Sequence, residues 1–169
     1  GNHPLYTQLE QELAEYKGTE DALVFGSGFL ANLGVITALV PPDATILADR
    51  LIHASLVDAM RLSGNKFQRF RHNDLGHLKV LLEKTDRPAV IVTEGVFSMD
   101  GDHAPLAEML VLAEEFDAQL IVDDAHGFGV VEHDLKASDR ILWIGTFSKA
   151  AGSYGGYVCT SRANVEKMV

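Results

Sequence analysis

Short, mainly apolar runs rich in β-branched residues recur along this chain, separated by stretches with helical spacing. That alternation limits the folds open to it. AVIVT at 89–93, QLIV at 119–122 and ILWIG at 141–145 are the clearest runs. They are too short for core helices and lack the polar alternation of a half-solvated strand, so they read as strands buried on both faces. Shorter strands are expected at 22–25, 45–48, 67–71 and 156–160. Leu5, Leu9, Leu13 and Tyr16 instead recur three and four residues apart, a helical stripe opened by Pro4 and closed by Gly18. Further helices are expected from about Phe29 to Val40 before Pro41-Pro42, from Ala54 to Leu62 before Ser63-Gly64, from Leu75 to Lys84, and from Pro105 to about Phe116. Strand–helix alternation predicts an α/β domain, a mainly parallel sheet with helices on both faces. The chain's 169 residues are enough for one domain with a substantial core.

In such sheets ligands sit beyond the carboxyl ends of the strands. The residues following the expected strands are Gly26-Ser27-Gly28, Asp49, Glu94, Asp123-Asp124-Ala125-His126 and Thr146-Phe147-Ser148-Lys149.

Composition excludes other classes. A net charge of −10 with no basic cluster repels phosphate backbones, which argues against nucleic acid as a partner. No apolar run reaches the ~20 residues of a membrane span. The single cysteine, Cys159, rules out an internal disulfide framework and fits a reducing compartment, so the cytoplasm is the expected location.

Gly26-Ser27-Gly28-Phe29-Leu30-Ala31 follows a strand, opens a helix and matches G-x-G-x-x-[GA]. With Asp49 about twenty residues on, it could form a Rossmann-type dinucleotide site. The physics is more general, because helix-start N–H groups bind any phosphate, and a plain strand–helix turn stays open as well. Asp123 at a strand end could neutralise a cationic ring nitrogen or hold a metal. His126 could join it, but no third ligand is indicated by spacing, and no metal is expected. Lys149 sits among Gly145, Gly152, Gly155 and Gly156, beside the hydroxyls of Thr146 and Ser148. A lysine in a partly desolvated site can lose its proton and attack a carbonyl. Taken singly, it could equally be solvated. His53 could stack on a planar cofactor or simply start a helix. His77 and His133 read as surface residues, and His3 and His72 are left open.

These pieces, in this order, resemble the α-oxoamine synthases, a branch of the fold-type-I aminotransferase-like enzymes that use pyridoxal 5′-phosphate. The stretches that carry the resemblance are GNHPLYTQLEQELAEYKG at 1–18, SGFLANLG at 27–34, ADRLIHASL at 48–56, RFRHND at 69–74, TEGVFSMDGDHAPLAE at 93–108, VDDAHGFGVV at 122–131 and GTFSKAAGSYGGYV at 145–158. The resemblance implies the major domain of an aspartate-aminotransferase-like fold, with Lys149 forming the Schiff base and later acting as the base. Asp123 is then the partner of the pyridinium nitrogen, and His53 stacks on the ring. His126 and Ser98 lie at its phenolic oxygen, Gly28, Phe29 and Thr146 at the phosphate, and Glu94 is a nearby acid. The implied reaction is a decarboxylative condensation of an amino acid with an acyl-CoA or acyl-carrier-protein thioester, in a homodimer. The DDAHG and GNHPLY wording favours the members that condense L-alanine with a pimeloyl thioester in biotin biosynthesis over glycine C-acetyltransferase-like ones.

Relative to that family, the N-terminal arm and the C-terminal domain have no counterpart in residues 1–169, which are expected to be the cofactor-binding major domain of a longer protein. The stretch between Val131 and Ile141 is also shorter than usual.

Overall fold

The computed structural model describes residues 3–133, 135 and 138–169. Part of the short stretch after Val131 thus lies outside the described residues. In chain order the elements are α1 (Pro4–Lys17), β1 (Asp21–Phe25), α2 (Gly28–Leu39), β2 (Thr45–Asp49), α3 (Ala54–Ser63), β3 (Lys66–Phe70), α4 (Leu75–Glu83), β4 (Ala89–Glu94), α5 (Leu106–Glu115), β5 (Gln119–Asp123), β6 (Ile141–Thr146), β7 (Gly156–Thr160) and α6 (Arg162–Met168).

Local chemistry sets the helix ends. Pro4 takes the first turn of α1, and Gly18 ends it in the left-handed region at φ 66°, where a side chain would be strained. Ser27 caps α2 by accepting the Leu30 N–H. The helix therefore begins at Gly28, one residue before the sequence expectation. His53 caps α3 in the same way through its ring, accepting the Ser55 N–H.

The seven strands form one sheet in the order β1-β7-β6-β5-β4-β2-β3. From β3 to β6 all pairings are parallel. β7 runs antiparallel to both β6 and β1. Strand residues alternate strictly between two cores. Ile46, Val90, Val92, Ile121, Leu142 and Ile144 pack with α2 and α3. Leu47, Ile91, Leu120, Val122 and Trp143 pack with α1, α4 and α5. Both faces are covered, as the uninterrupted apolar runs required.

The strand order excludes the dinucleotide reading. A G-x-G-x-x-G site needs its first two strands side by side near the middle of a parallel sheet. Here β1 is an edge strand, and four strands separate it from β2. Asp49 is fully buried and committed elsewhere: its carboxylate accepts from Leu51 N–H, Asn73 N–H and the His72 ring.

Candidate active site

Because the parallel strands end on one side of the sheet, their following residues converge there. They line a cleft of about 300 Å³, formed by Gly28 and Phe29 after β1, His53 after β2, Glu94 at the end of β4, Asp123 and His126 at β5, and Thr146 and Lys149 at β6. The floor is buried and polar: Asn32, Ser55, Glu94, Asp123 and Thr146 are each 6% exposed or less. The rim, with Phe29, His53, Ser148 and Lys149, is exposed. Lys149 is thus solvent-accessible at the mouth of the cleft.

The floor is held by a continuous hydrogen-bond chain. Asn32 Nδ2 donates to Asp123 Oδ2 at 2.8 Å and to Ser55 Oγ at 2.9 Å. A carboxylate only accepts, so this contact fixes the amide's orientation. Ser55 Oγ lies 2.7 Å from His53 Nδ1, which also accepts the Ser55 N–H. His53 Nδ1 is therefore an acceptor, and the ring proton sits on Nε2. The second Asp123 oxygen accepts the Ala125 N–H at 3.0 Å. Lys149 Nζ reaches His126 Nε2 at 2.7 Å. Burial and then the neighbouring Lys149 charge hold His126 below its ordinary range, so its neutral ring accepts from the ammonium. Burial first, then Asp123 on the adjacent strand, pushes Glu94 up to about 7.

One wall of the cleft is an anion cradle. Ser27 Oγ takes the Leu30 N–H and the Ser27 carbonyl takes the Ala31 N–H. The Gly28 and Phe29 N–H groups start the helix and have no carbonyl within it to meet, the arrangement that binds phosphates. The cradle depends on Gly156: a Cβ there would lie 2.6 Å from Gly28 N and from the Ser27 carbonyl. Thr146 Oγ1 donates to the Gly155 carbonyl at 2.8 Å and sits 2.9 Å from Ser148 Oγ. Its proton is already engaged, which makes Ser148 the freer hydroxyl.

Most of the sequence-derived set meets here: Lys149, Asp123, His53, His126, Gly28, Phe29, Thr146 and Glu94 line the cleft. Ser98 does not; it lies in the exposed 98–100 turn. Asn32 and Ser55 carried no role in the sequence reading. Their signal was present, since Asn32 interrupts the apolar helix GFLANLGVITAL, and a buried polar group needs partners. His133 is a correction. It is not on the surface: its side chain is only 10% exposed, hydrogen-bonds Asp124 and stacks on Trp143. His72 bridges Asp49 and Asp102, and His3 caps α1. Among the described residues no group of His, Cys, Asp and Glu is placed to hold a metal ion, and no helix is long and apolar enough to cross a membrane.

Comparison with known proteins places this geometry in a family. The model for aminotransferase class I and II matches residues 1–169. A putative 8-amino-7-oxononanoate synthase of Acidiphilium cryptum is 53% identical over 172 residues, 98% of this chain and 45% of that protein. The 8-amino-7-oxononanoate synthase of Methylobacterium nodulans is 54% identical over 169 residues, 98% and 44% respectively. The chain thus spans just under half the length of these relatives. Among solved structures, serine palmitoyltransferase from S. paucimobilis with a bound PLP–myriocin aldimine superposes with a TM-score of 0.89 at 34% identity, covering 99% of this chain and 46% of that one. The 8-amino-7-oxononanoate synthase from Francisella tularensis superposes with a TM-score of 0.82 at 31% identity, covering 99% and 51%. The chain belongs to the aminotransferase class I and II family, in its α-oxoamine synthase branch.

Proposed function

We propose that this cleft binds pyridoxal 5′-phosphate and serves the decarboxylative condensation of L-alanine with pimeloyl-CoA, or the pimeloyl carrier-protein thioester, to give 8-amino-7-oxononanoate in biotin biosynthesis. The observation that carries the reading is the convergence of a lysine, a buried carboxylate and a helix-start anion cradle on one 300 Å³ cleft. The residues fit the group. Gly156 keeps the cradle open to a phosphate, and Asn32 leaves its Oδ1 buried on the cleft floor without a partner among the described residues, where a ligand donor can meet it.

Bound there, the cofactor supplies an electron-withdrawing ring that stabilises negative charge at the substrate α-carbon. The chain's own residues then have defined tasks. Asp123, oriented by Asn32 and Ala125, holds a proton on the ring nitrogen. Gly28 and Phe29 give N–H groups to the phosphate, with the Thr146–Ser148 hydroxyl pair beside them. His53 covers one ring face with its Nδ1 committed to Ser55. Lys149 attaches the cofactor and moves the α-proton. His126 accepts from Lys149 Nζ and orients that amine at the rim. Residues 1–169 are proposed as the cofactor-binding major domain of a cytoplasmic homodimer.

A second reading keeps the site and changes the substrate. The similarity to serine palmitoyltransferase at 34% identity supports another α-oxoamine synthase, including a glycine C-acetyltransferase-like one. Adding pyridoxal 5′-phosphate should produce a visible absorbance band, and borohydride should fix the cofactor on the peptide containing Lys149. Absence of both would overturn the cofactor assignment. Thiol release with alanine, glycine or serine against pimeloyl-, acetyl- and palmitoyl-CoA then decides the substrate; preference for glycine or serine would overturn the biotin assignment.

A further inference from the structure

Glu94 is buried in the floor of the cleft at 3% exposure, and nothing in the site described so far uses it. It ends β4 directly beside Asp123, its partner in the β4–β5 register. Four groups face it. Asp123 from β5 and Asp49 from β2 carry charge of its own sign, Lys149 from the segment after β6 carries the opposite sign, and His53 at the start of α3 reaches its carboxyl with a backbone N–H. Its Oε1 has no hydrogen-bond partner among the described residues.

No hydrogen bond joins its Oε1 to either neighbouring carboxylate. Asp123 accepts from Asn32 and Ala125, and Asp49 from Leu51, Asn73 and His72. An ionised Glu94 would therefore stand as a third negative charge between two satisfied ones, with one oxygen unsolvated. A protonated Glu94 has an O–H pointing at no protein acceptor, and an orphaned buried polar group costs free energy until something meets it. The open space it lines is the cleft.

We propose that Glu94 is a ligand-contacting hydrogen-bond donor, whose protonated Oε1 donates to an oxygen acceptor of the small molecule bound in the cleft. The inference deepens the cofactor reading and takes pyridoxal 5′-phosphate as its probe. It also has a pH consequence. Above about pH 7 the same oxygen becomes an acceptor with a negative charge, and an anionic ligand loses a donor and gains a repulsion.

The test has two arms. In a Lys149→Ala background, where no covalent bond to the cofactor complicates the titration, pyridoxal 5′-phosphate binding is measured against pH for Glu94 and for Glu94→Gln, which keeps a donor and cannot ionise. The ratio of their dissociation constants should be flat below pH 6 and rise up to about tenfold per pH unit above Glu94's own titration. A ratio constant from pH 6 to about pH 9 overturns the proposal. In the second arm, infrared difference spectra of the protein with Lys149 intact should show a protonated carboxyl band at pH 6 that disappears in Glu94→Gln. No such band overturns the proposal whatever the ligand. A failed borohydride attachment at Lys149 with the carboxyl band present would overturn the cofactor reading instead. Circular dichroism confirms that the isosteric variant is folded.

Discussion

Lys149 Nζ and His126 Nε2 lie 2.7 Å apart, a cation giving its hydrogen bond to a neutral imidazole. The contact joins two residues 23 positions apart in sequence. Burial and the Lys149 charge both hold His126 below the ordinary histidine range. Replacing Lys149 with Met removes the second cause and leaves the first. The His126 titration, followed by proton NMR of the ring, should move upward but stay below that of an exposed histidine. An unchanged titration would mean that the contact has no electrostatic consequence.

Glu94 also predicts a stability profile. Its folded value of about 7 lies above the ordinary 4.5, so the folded state holds a proton that the unfolded chain releases between those values. Stability should fall as pH rises from 4.5 to about 7 and then level off, since beyond that both states are ionised. Glu94→Gln should remove this slope. The cofactor-free variant should therefore match the wild type near pH 4.5 and exceed it at alkaline pH by at most about 3 kcal/mol, read from urea midpoints. A slope that persists in the variant would assign it to other groups.

His72 should give a slope of distinct origin. Burial opposes its charge, but hydrogen bonds from both ring nitrogens to Asp49 and Asp102 outweigh that and raise it above 6.5. The stabilisation is complete below the unfolded value of 6.5 and is lost as pH rises through the folded one. Unfolding of His72→Gln against the wild type should show a difference that shrinks as pH rises through that window. A pH-independent difference would count against the ion pairs.

Lys17 reaches Asp124 at 2.5 Å and lies over the Trp143 ring at 4.4 Å, while His133 holds the other Asp124 oxygen at 2.8 Å. Asp124 is fully buried and the Lys17 side chain is 8% exposed. Lys17→Met strands a buried carboxylate, which typically costs about 3–5 kcal/mol. Denaturant midpoints should fall accordingly, and the double variant with Asp124→Asn should recover a good part of the loss.

Gly156→Ala should separate binding from folding. The added methyl would meet the Ser27–Gly28 backbone at 2.6 Å, and backbone cannot step aside as a flexible side chain can. Pyridoxal 5′-phosphate affinity is expected to drop at least about tenfold, a cost of 1.4 kcal/mol or more, with the far-ultraviolet circular dichroism retained. Unchanged affinity would show that the cradle is not the phosphate site.

Most of the fold was legible because uninterrupted apolar strands and capped helices leave little choice of layer arrangement. Pro4 and Gly18 bounded α1 correctly, and Gly64 ended α3. The strand order was not legible. Nothing local in DALVF tells β1 to leave β2 and join β7 at the edge, which is why Gly26–Ala31 with Asp49 left a dinucleotide site open as an alternative. In the cleft, charged and glycine-flanked residues announced themselves through position after strands. Asn32 showed only as a polar residue in an apolar helix, and Ser55 not at all, because their contacts with Asp123 and His53 exist only in the folded sheet. His133 misled for the same reason: its burial against Trp143 is a tertiary fact.

The edge pairing of β1 with β7 also sets an order of events. Asp21 is matched to Thr160 and Phe25 to Gly156, so the loop that would hold a phosphate closes only between segments far apart in sequence, and non-local pairings of this kind close late. During synthesis, helix α2 can form with its first N–H groups facing water. The wall that turns them into a binding site arrives only when residues 156–160 have emerged. An anion bound at that wall would therefore report on completion of the sheet.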